Sequence, residues 1–306
     1  MIKIYQKTAR EQAVDAGDVF HPGAWIHGEN PTEQELEALA NEHGLELGHL
    51  KDATDPYEVP RVETERDAVY IFTRVPVRTD ERVITTPLLV VMGPEFFLTI
   101  ASRPLPIFEK FLDGRIEFST SQRTNLFIQI FFEINTAYSA FLTEIGRRVR
   151  GREVALEKIG NDDIMQLVAF ERILNDFLAS LVPTTAILQS LLSGKSLPLH
   201  ERDTDLVEDL FLANGQLVEA CKSNLKNIVN IREAYSAIIT NNLNRVIKLL
   251  TALTILLTVP TMIASFYGMN VALPYAHSPA AFWAVAAFTL FVTAGLLGIF
   301  AKNKWL

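Results

Sequence analysis

The sequence predicts an α+β membrane protein: an N-terminal α/β domain, then a long helix that continues into the first of two C-terminal transmembrane helices. Three observations carry this. Residues 249–271 and 280–301 contain no charged residue, and at about 1.5 Å per residue each run is long enough to cross a hydrocarbon core. Short β-branched and aromatic runs are confined to the first 120 residues. From about Thr204 to Val259 there is no proline and one glycine, Gly215, and apolar residues recur at helical spacing.

Taken in order, MIKIYQ, AWIHG, AVYIFTRVPV, TTPLLVVMG and FFLTIAS read as strands within an α/β domain over 1–120. Between the second and third lies PTEQELEALANEHG, a helix with Pro31 near its first turn, early glutamates, and Gly44 placed for a left-handed cap. After DGRIEFSTSQ the strand signal stops, and residues 121–202 form a helical subdomain with breaks available at Gly151, Gly160 and Pro183. GKSLPLHERD supplies the next turn. A stalk helix over 203–248 runs into a first membrane helix over 249–271, a loop over 272–279, a second membrane helix over 280–301 and a basic end over 302–306. A rod of roughly 80 to 100 Å is too long for its own domain to cover, so neighbouring copies are expected along it. Pro260 breaks a backbone bond near Leu256, which fits either a packing kink or a gating hinge.

The formal net charge of -8 is unevenly placed. All 36 Asp and Glu lie within residues 1–244, whereas residues 245–306 carry only Arg245, Lys248, Lys302 and Lys304. The acidic front part repels nucleic acid and attracts cations. The basic residues flank the two apolar segments and the loop between them has none, so both outer ends are expected in the cytoplasm. Tyr267, Tyr275, Trp283 and Trp305 fall near the expected interfaces. The start, MIKIYQKTAREQ, lacks the apolar stretch of a signal peptide, which keeps residues 1–244 on the same side. The single cysteine, Cys221, excludes an internal disulfide and reads as a small buried stalk residue.

A hairpin of two helices cannot enclose a hydrated path, so it is either an anchor or one wall of an assembly. On the first segment Thr251, Thr254, Thr258, Thr261, Ser265 and Gly268 recur at spacings of 3, 4, 3, 4 and 3, which is one face of a helix. Such a face can offer oxygens to a water-filled lumen. Equally, its hydroxyls can bond back to carbonyls four residues earlier while the face packs on another helix. The second segment spreads Phe around its circumference and keeps Gly295 and Gly298 together, so the first is the better candidate for an axis. The six His show no HExxH-type spacing, and no GxxxxGK[ST] loop or nucleophile elbow is present, so an enzyme is not expected.

Tyr267-Gly268-Met269-Asn270, at the outer end of the first of two C-terminal membrane segments, resembles the signature of the CorA magnesium transporter family. GAWIHGENPTEQELEALANEHGL, ATDPYEVPRVETERDAVYIFTRVPV, FFLTIASRPLPIF and TNNLNRVIKLLTALTILLTVPTMIASFYGMN are similar to family sequence as well, so the resemblance covers essentially the whole chain. It implies a funnel-shaped homopentamer in the inner membrane of a bacterial cell, with a cytoplasmic α/β domain and an outer ring of second helices. It further implies a selectivity filter at Gly268, Met269 and Asn270, and a pore lined by Thr258, Thr261 and Ser265. Ile247 and Leu250 match the inner hydrophobic constriction, and Asn244 the polar ring at its cytoplasmic mouth. Asp209 matches an intersubunit regulatory Mg²⁺ site and Glu233 a further acidic stalk position. The plainer alternatives are a helix-capping Asn270 and solvated Asp209 and Glu233.

Mg²⁺ sheds water reluctantly, so neutral carboxamide oxygens can hold the hydrated ion without stripping it, and conduction needs binding weak enough to release. Expected cargo is therefore hydrated divalent cations, moving passively through a lipid bilayer. In two places the chain departs from the family pattern. VALPYAHSPA, after the tripeptide, offers only His277 and no acid, and Thr258 stands where the family often has Met; both bear on ion selectivity. Two rivals remain open: a transition-metal (Zn²⁺, Co²⁺ or Ni²⁺) transporter of the ZntB type, and a membrane-anchored sensor without transport.

Overall fold

The computed structural model of the 306-residue chain describes residues 1–8, 15–17, 19–79, 82–154, 159–194, 199–271 and 278–305. Tyr275 and His277, noted in the sequence, lie outside the described residues. The chain divides into two units, Met1–Ile231 and Arg232–Leu306.

The first unit is built on a seven-stranded sheet. In chain order its strands are β1 (Ile2–Gln6), β2 (Asp15–Gly17), β3 (Ala24–Glu29), β4 (Arg61–Glu65), β5 (Ala68–Arg78), β6 (Val83–Met92) and β7 (Phe96–Ala101), and they lie in the order β2-β1-β3-β7-β6-β5-β4. Only β3 and β7 pair in parallel, Ile26 opposite Leu98; the other neighbours are antiparallel. Every residue of β7 is buried, because helices cover both faces of the sheet, and this is why β6 and β7 read as apolar runs and not as alternation. The five strands expected from the sequence are present. β2 and β4 were missed: β2 is three residues long, and β4 (RVETE) is an edge strand whose charged residues hide its β character.

Two short helices, α1 (Glu33–His43) and α2 (Leu47–Asp52), cover one face. Thr32 caps α1 in a capping box: its hydroxyl accepts from the Glu35 N–H, and the Glu35 carboxylate accepts from the Thr32 N–H at 2.8 Å. The cap places Pro31 just before the helix. Gly44 ends it at φ 66, the left-handed conformation where a side chain is strained. Leu36, Leu39, Leu45 and Leu50 pack here on Ile26, Phe72, Val91 and Leu98.

The opposite face carries α3 (Pro106–Leu112), α4 (Arg123–Val154) and α5 (Asn161–Leu192). Trp25, fully buried, lies within 5.7 Å of the Phe108 and Phe118 rings. Its indole N–H donates to Thr99 Oγ1 at 2.8 Å, and the same oxygen meets His27 Nδ1 at 2.7 Å. His27 Nε2 lies 3.2 Å from Glu29. Nδ1 shares a hydrogen bond with the Thr99 hydroxyl; the carboxylate can only accept, so Nε2 carries a proton and donates to it. That hydrogen bond also holds the Glu29 carboxyl below its ordinary range.

Of the three breaks considered for the helical region, Gly160 is the one used, as the N-terminal cap residue of α5; Gly151 and Pro183 lie within helices. By length and composition alone, α4 is also apolar enough to cross a membrane. Half of its most apolar stretch is buried in its own unit, with Phe127, Phe131 and Tyr138 fully enclosed, so it is a core helix.

Helix α6 (Glu201–Tyr267) is continuous for 67 residues and passes through Pro260 without interruption. Its first thirty residues complete the core of the first unit. Asn214, fully buried, donates to the Leu181 carbonyl at 2.9 Å and to Thr185 Oγ1 at 2.7 Å, tying α6 to α5. Cys221 is fully buried and its thiol is pushed up to about 12 by burial. At pH 8 only about one thiol in ten thousand would then be ionised, and the thiolate is the reactive form. Folded protein is expected to resist a maleimide at pH 8 while unfolded protein labels to one thiol per chain; rapid labelling of the folded form, read by mass spectrometry, would contradict this burial.

Candidate functional site

The second unit contains the rest of α6 and a final helix, α7 (Ala281–Lys302). Its surface is unlike that of a water-soluble fold. Leu257 and Phe266 on α6, and Trp283, Leu290 and Phe291 on α7, are between 55% and 78% exposed. At roughly 2 kcal/mol per large apolar side chain, a dozen such groups left in water would exceed the whole stability of an ordinary domain. Both helices are long and apolar enough to span a membrane.

Two faces of α6 have different surroundings. Pro260, Ile263, Ala264 and Tyr267 border clefts shared with Val285, Phe288 and Thr289 of α7. Thr258, Thr261 and Ser265 instead line a shallow groove of about 460 Å³ with Leu257, Met262, Phe266 and Met269, all of them α6-side residues. At 3.6 residues per turn the hydroxyl face and the α7 face are centred roughly 140° apart. Thr251, Thr254, Thr258, Thr261, Ser265 and Gly268 are all exposed. The hydroxyl-bearing residues Thr258, Thr261 and Ser265 therefore do not pack on the chain's own second helix, whereas Gly268, at the end of the seam, lines the cleft shared with α7.

The hydroxyls of Thr251, Thr254 and Thr261 donate to the carbonyls of Ile247, Leu250 and Leu257, each at 2.8 Å. This is the back-bonding foreseen in the packing alternative. It occupies the hydroxyl proton and leaves the oxygen lone pairs facing outward, so the seam presents acceptors and no free donors at these positions.

At Tyr267 the helix stops. The Gly268 N–H donates to the Ala264 and Ser265 carbonyls at 3.0 and 3.2 Å, and the Met269 N–H to Phe266 at 3.3 Å. Backbone donors are thus folded inward, Met269 and Asn270 are exposed, and the negative end of a long helix lies beside them. Asn244, Ile247 and Leu250 are exposed further back on α6.

Asp209 and Glu233 are both exposed. They are 24 residues apart on α6, about 36 Å at helical rise, and cannot share one ion within a chain. Among the described residues no three His, Cys, Asp or Glu side chains of one chain are grouped to hold a metal. What the sequence reading lacked was the phase of the seam against α7, which spacing within one segment does not contain.

Comparison with known proteins agrees with this architecture. Residues 23–302 match the family described as CorA-like Mg²⁺ transporter protein. The Cobalt/magnesium transport protein CorA of Methanocaldococcus jannaschii is 26% identical over 289 residues, covering 92% of this chain and 91% of that one. In fold, the complete structure of the CorA magnesium transporter from the same organism superimposes with a TM-score of 0.87 at 24% identity, over 100% of this chain and 99% of that one. The ZntB cytoplasmic domain from Vibrio parahaemolyticus gives 0.64 at 9% identity, over 78% of this chain and 98% of that one. With the family match spanning nearly the whole sequence, the chain belongs to the CorA-like Mg²⁺ transporter family.

Proposed function

We propose that copies of this chain form a homopentamer whose α6 helices ring a hydrated path, and that the assembly passes hydrated divalent cations, Mg²⁺ foremost, into the cytoplasm. The observation that carries this reading is the acceptor-bearing seam from Thr251 to Ser265, directed away from the chain's own α7 and ending at Gly268-Met269-Asn270. The family membership and the likeness of the Cobalt/magnesium transport protein CorA support the choice of cargo.

The chemistry follows from what a hydrated cation presents. Its first shell of water directs hydrogens outward, so a wall that receives it needs acceptors. Thr oxygens with their protons already bonded, the Asn270 carboxamide oxygen and the carbonyls at the end of α6 are of that kind. None carries a full negative charge, which keeps the ion mobile. Two positive charges moving down an inward-negative potential gain roughly 4.6 kcal/mol per 100 mV, so no energy-coupling site is needed. Ile247 and Leu250 form the apolar constriction in this reading, and Asn244 a polar ring at its inner mouth. The basic residues flanking the two spans support a cytoplasmic location for the flanking segments.

Asp209 and Glu233 are proposed as regulatory positions. Among the described residues one chain groups no three such side chains, so in this reading an ion at Asp209 takes its remaining ligands from a neighbouring copy and from water. Mg²⁺ bound there would hold neighbours together at high internal concentration, and its loss would let the stalks part.

Three measurements test these claims. Proteoliposomes with wild-type protein are expected to take up Mg²⁺ down a potential, and Asn270→Ala to lose at least tenfold of that flux with the oligomer intact. Competition with Zn²⁺, Co²⁺ and Ni²⁺ separates this reading from a ZntB-type carrier, and an absence of flux from wild type leaves only an anchor. For regulation, Asp209→Ala is expected to keep conducting at internal Mg²⁺ that silences wild type; unchanged inhibition would remove Asp209 from the site.

A further inference from the structure

At the end of α7 the chain places a lysine in a conformation that suits glycine. Lys304 has φ 56; its N–H donates to the Ala301 carbonyl at 3.2 Å, and the Trp305 N–H donates to that of Phe300 at 2.9 Å. This is the left-handed helix stop, in which two back-turned bonds accompany an apolar contact. Here the contact is the Trp305 ring stacked on Phe300, centroids 5.5 Å apart and planes 17° from parallel. Glycine would take this φ without steric conflict, so the backbone does not ask for lysine. The stop fixes where Lys304, and Lys302 in the last turn of α7, stand at the helix end.

Two more cations belong to the same level of the hairpin. The clefts between the helices are lined by residues 260–268 of α6 and 281–293 of α7, so the end of α6 lies beside the start of α7 and the two run antiparallel. Counted back along both helices at equal rise, Lys248 comes level with residues 302–304 to within about a turn. Ala252 and Phe300, the two buried residues among those described beyond Arg232, share a level by the same count. Arg245 and Lys248 lie within about 40° of Ala252 around α6, beside the line on which that helix is covered. Arg245, Lys248, Lys302 and Lys304 are all exposed, and residues 234–306 contain no Asp or Glu to pair with them. Next to them Leu253, Leu297 and Ile299 are exposed as well.

We infer that this end of the hairpin holds an anionic phospholipid, its headgroup phosphate taken by Arg245, Lys248, Lys302 and Lys304 and its acyl chains laid along Leu253, Leu297 and Ile299. Guanidinium and ammonium groups bind phosphate through charge-assisted hydrogen bonds, and basic residues at a membrane surface favour anionic over zwitterionic lipid. A soluble anion would satisfy the cations and leave the adjoining apolar surface bare, whereas an amphiphile answers both. Trp305 belongs to the same layer, where amphipathic rings gather. The site uses the bilayer position of α6 and α7 and needs no conducting path.

The test counts lipid. Full-length protein is reconstituted in vesicles of equal phosphatidylglycerol and phosphatidylcholine, extracted in mild detergent, and the lipids that stay bound are identified by native mass spectrometry. Wild type is expected to retain phosphatidylglycerol over phosphatidylcholine by about threefold in dilute salt, and by less in concentrated salt. Replacing both lysines, Lys302→Gln with Lys304→Gln, should bring the ratio to about one. Lys304→Gly separates charge from strain: it relaxes the left-handed residue, so the melting temperature holds or rises while the preference falls. Equal retention by wild type, or an undiminished preference in the double variant, would overturn the inference. So would loss of the preference on adding glycerol phosphate at matched ionic strength, which would mark a site for small anions. Retention is read without Mg²⁺ flux, so its outcome and that of the transport assay are separate.

Discussion

One helix has to satisfy two environments, and the rest of the structure follows from how α6 does so. Along its first thirty residues it is held by protein: Asn214 reaches α5, and Val207, Leu210, Cys221 and Ile228 lose nearly all contact with solvent. Beyond Arg232 it leaves that core, and of its described residues there Ala252 alone is buried. A helix satisfies its own backbone in either setting, so the change falls on the side chains. They must find lipid, a neighbouring copy or water. The composition sorts them accordingly: Leu257 and Phe266 suit acyl chains, while a line of Thr and Ser suits water or a close helix.

The hydroxyl back-bonds decide what that line can do. A Thr with a free proton in an apolar setting would have to find an acceptor, and in a conducting path it would compete with the water protons that surround a cation. With the proton given to the carbonyl one turn earlier, Thr251, Thr254 and Thr261 present only lone pairs. The same logic holds at the helix end, where the Gly268 and Met269 N–H groups turn back into the last turn. Packing and hydrated lining are thus not exclusive. The bond that permits a Thr in an apolar helix also gives it the polarity a hydrated cation requires.

Much of this was legible in the sequence, for reasons that differ by element. The strands β3, β5, β6 and β7 are visible because burial on both faces concentrates apolar residues in them. α1 is visible because its caps are chemical, Thr32 with Glu35 at one end and Gly44 at the other. Both membrane helices are visible because lipid excludes charge over a length set by the bilayer. By contrast β4 hides behind Arg61, Glu63 and Glu65, whose ion pairs are a local matter. α4 has the composition of a third span, and only its contacts with the sheet show that protein, not lipid, receives its apolar face. The seam on α6 could be read as a periodicity, whereas its direction relative to α7 is a tertiary fact that no single-segment pattern holds.

Gly268 shows where the single chain stops explaining its own sequence. At Gly44 the backbone requires glycine, since φ is 66. At Gly268 it does not: no left-handed conformation is present, and an added Cβ would stand 3.4 Å from the Ala264 carbonyl and 3.5 Å from that of Ser265, which are ordinary contacts. Gly295 and Gly298 on α7 have open space around them in the same sense. Local folding would accept alanine at all three. Small residues in a membrane helix permit close approach of another helix: Gly268 borders the cleft shared with α7, and in the assembly proposed above Gly295 and Gly298 would admit a helix of a neighbouring copy. In the same proposal the smallness of Gly268 would serve twice, leaving room for close assembly and for the acceptors proposed beside Asn270.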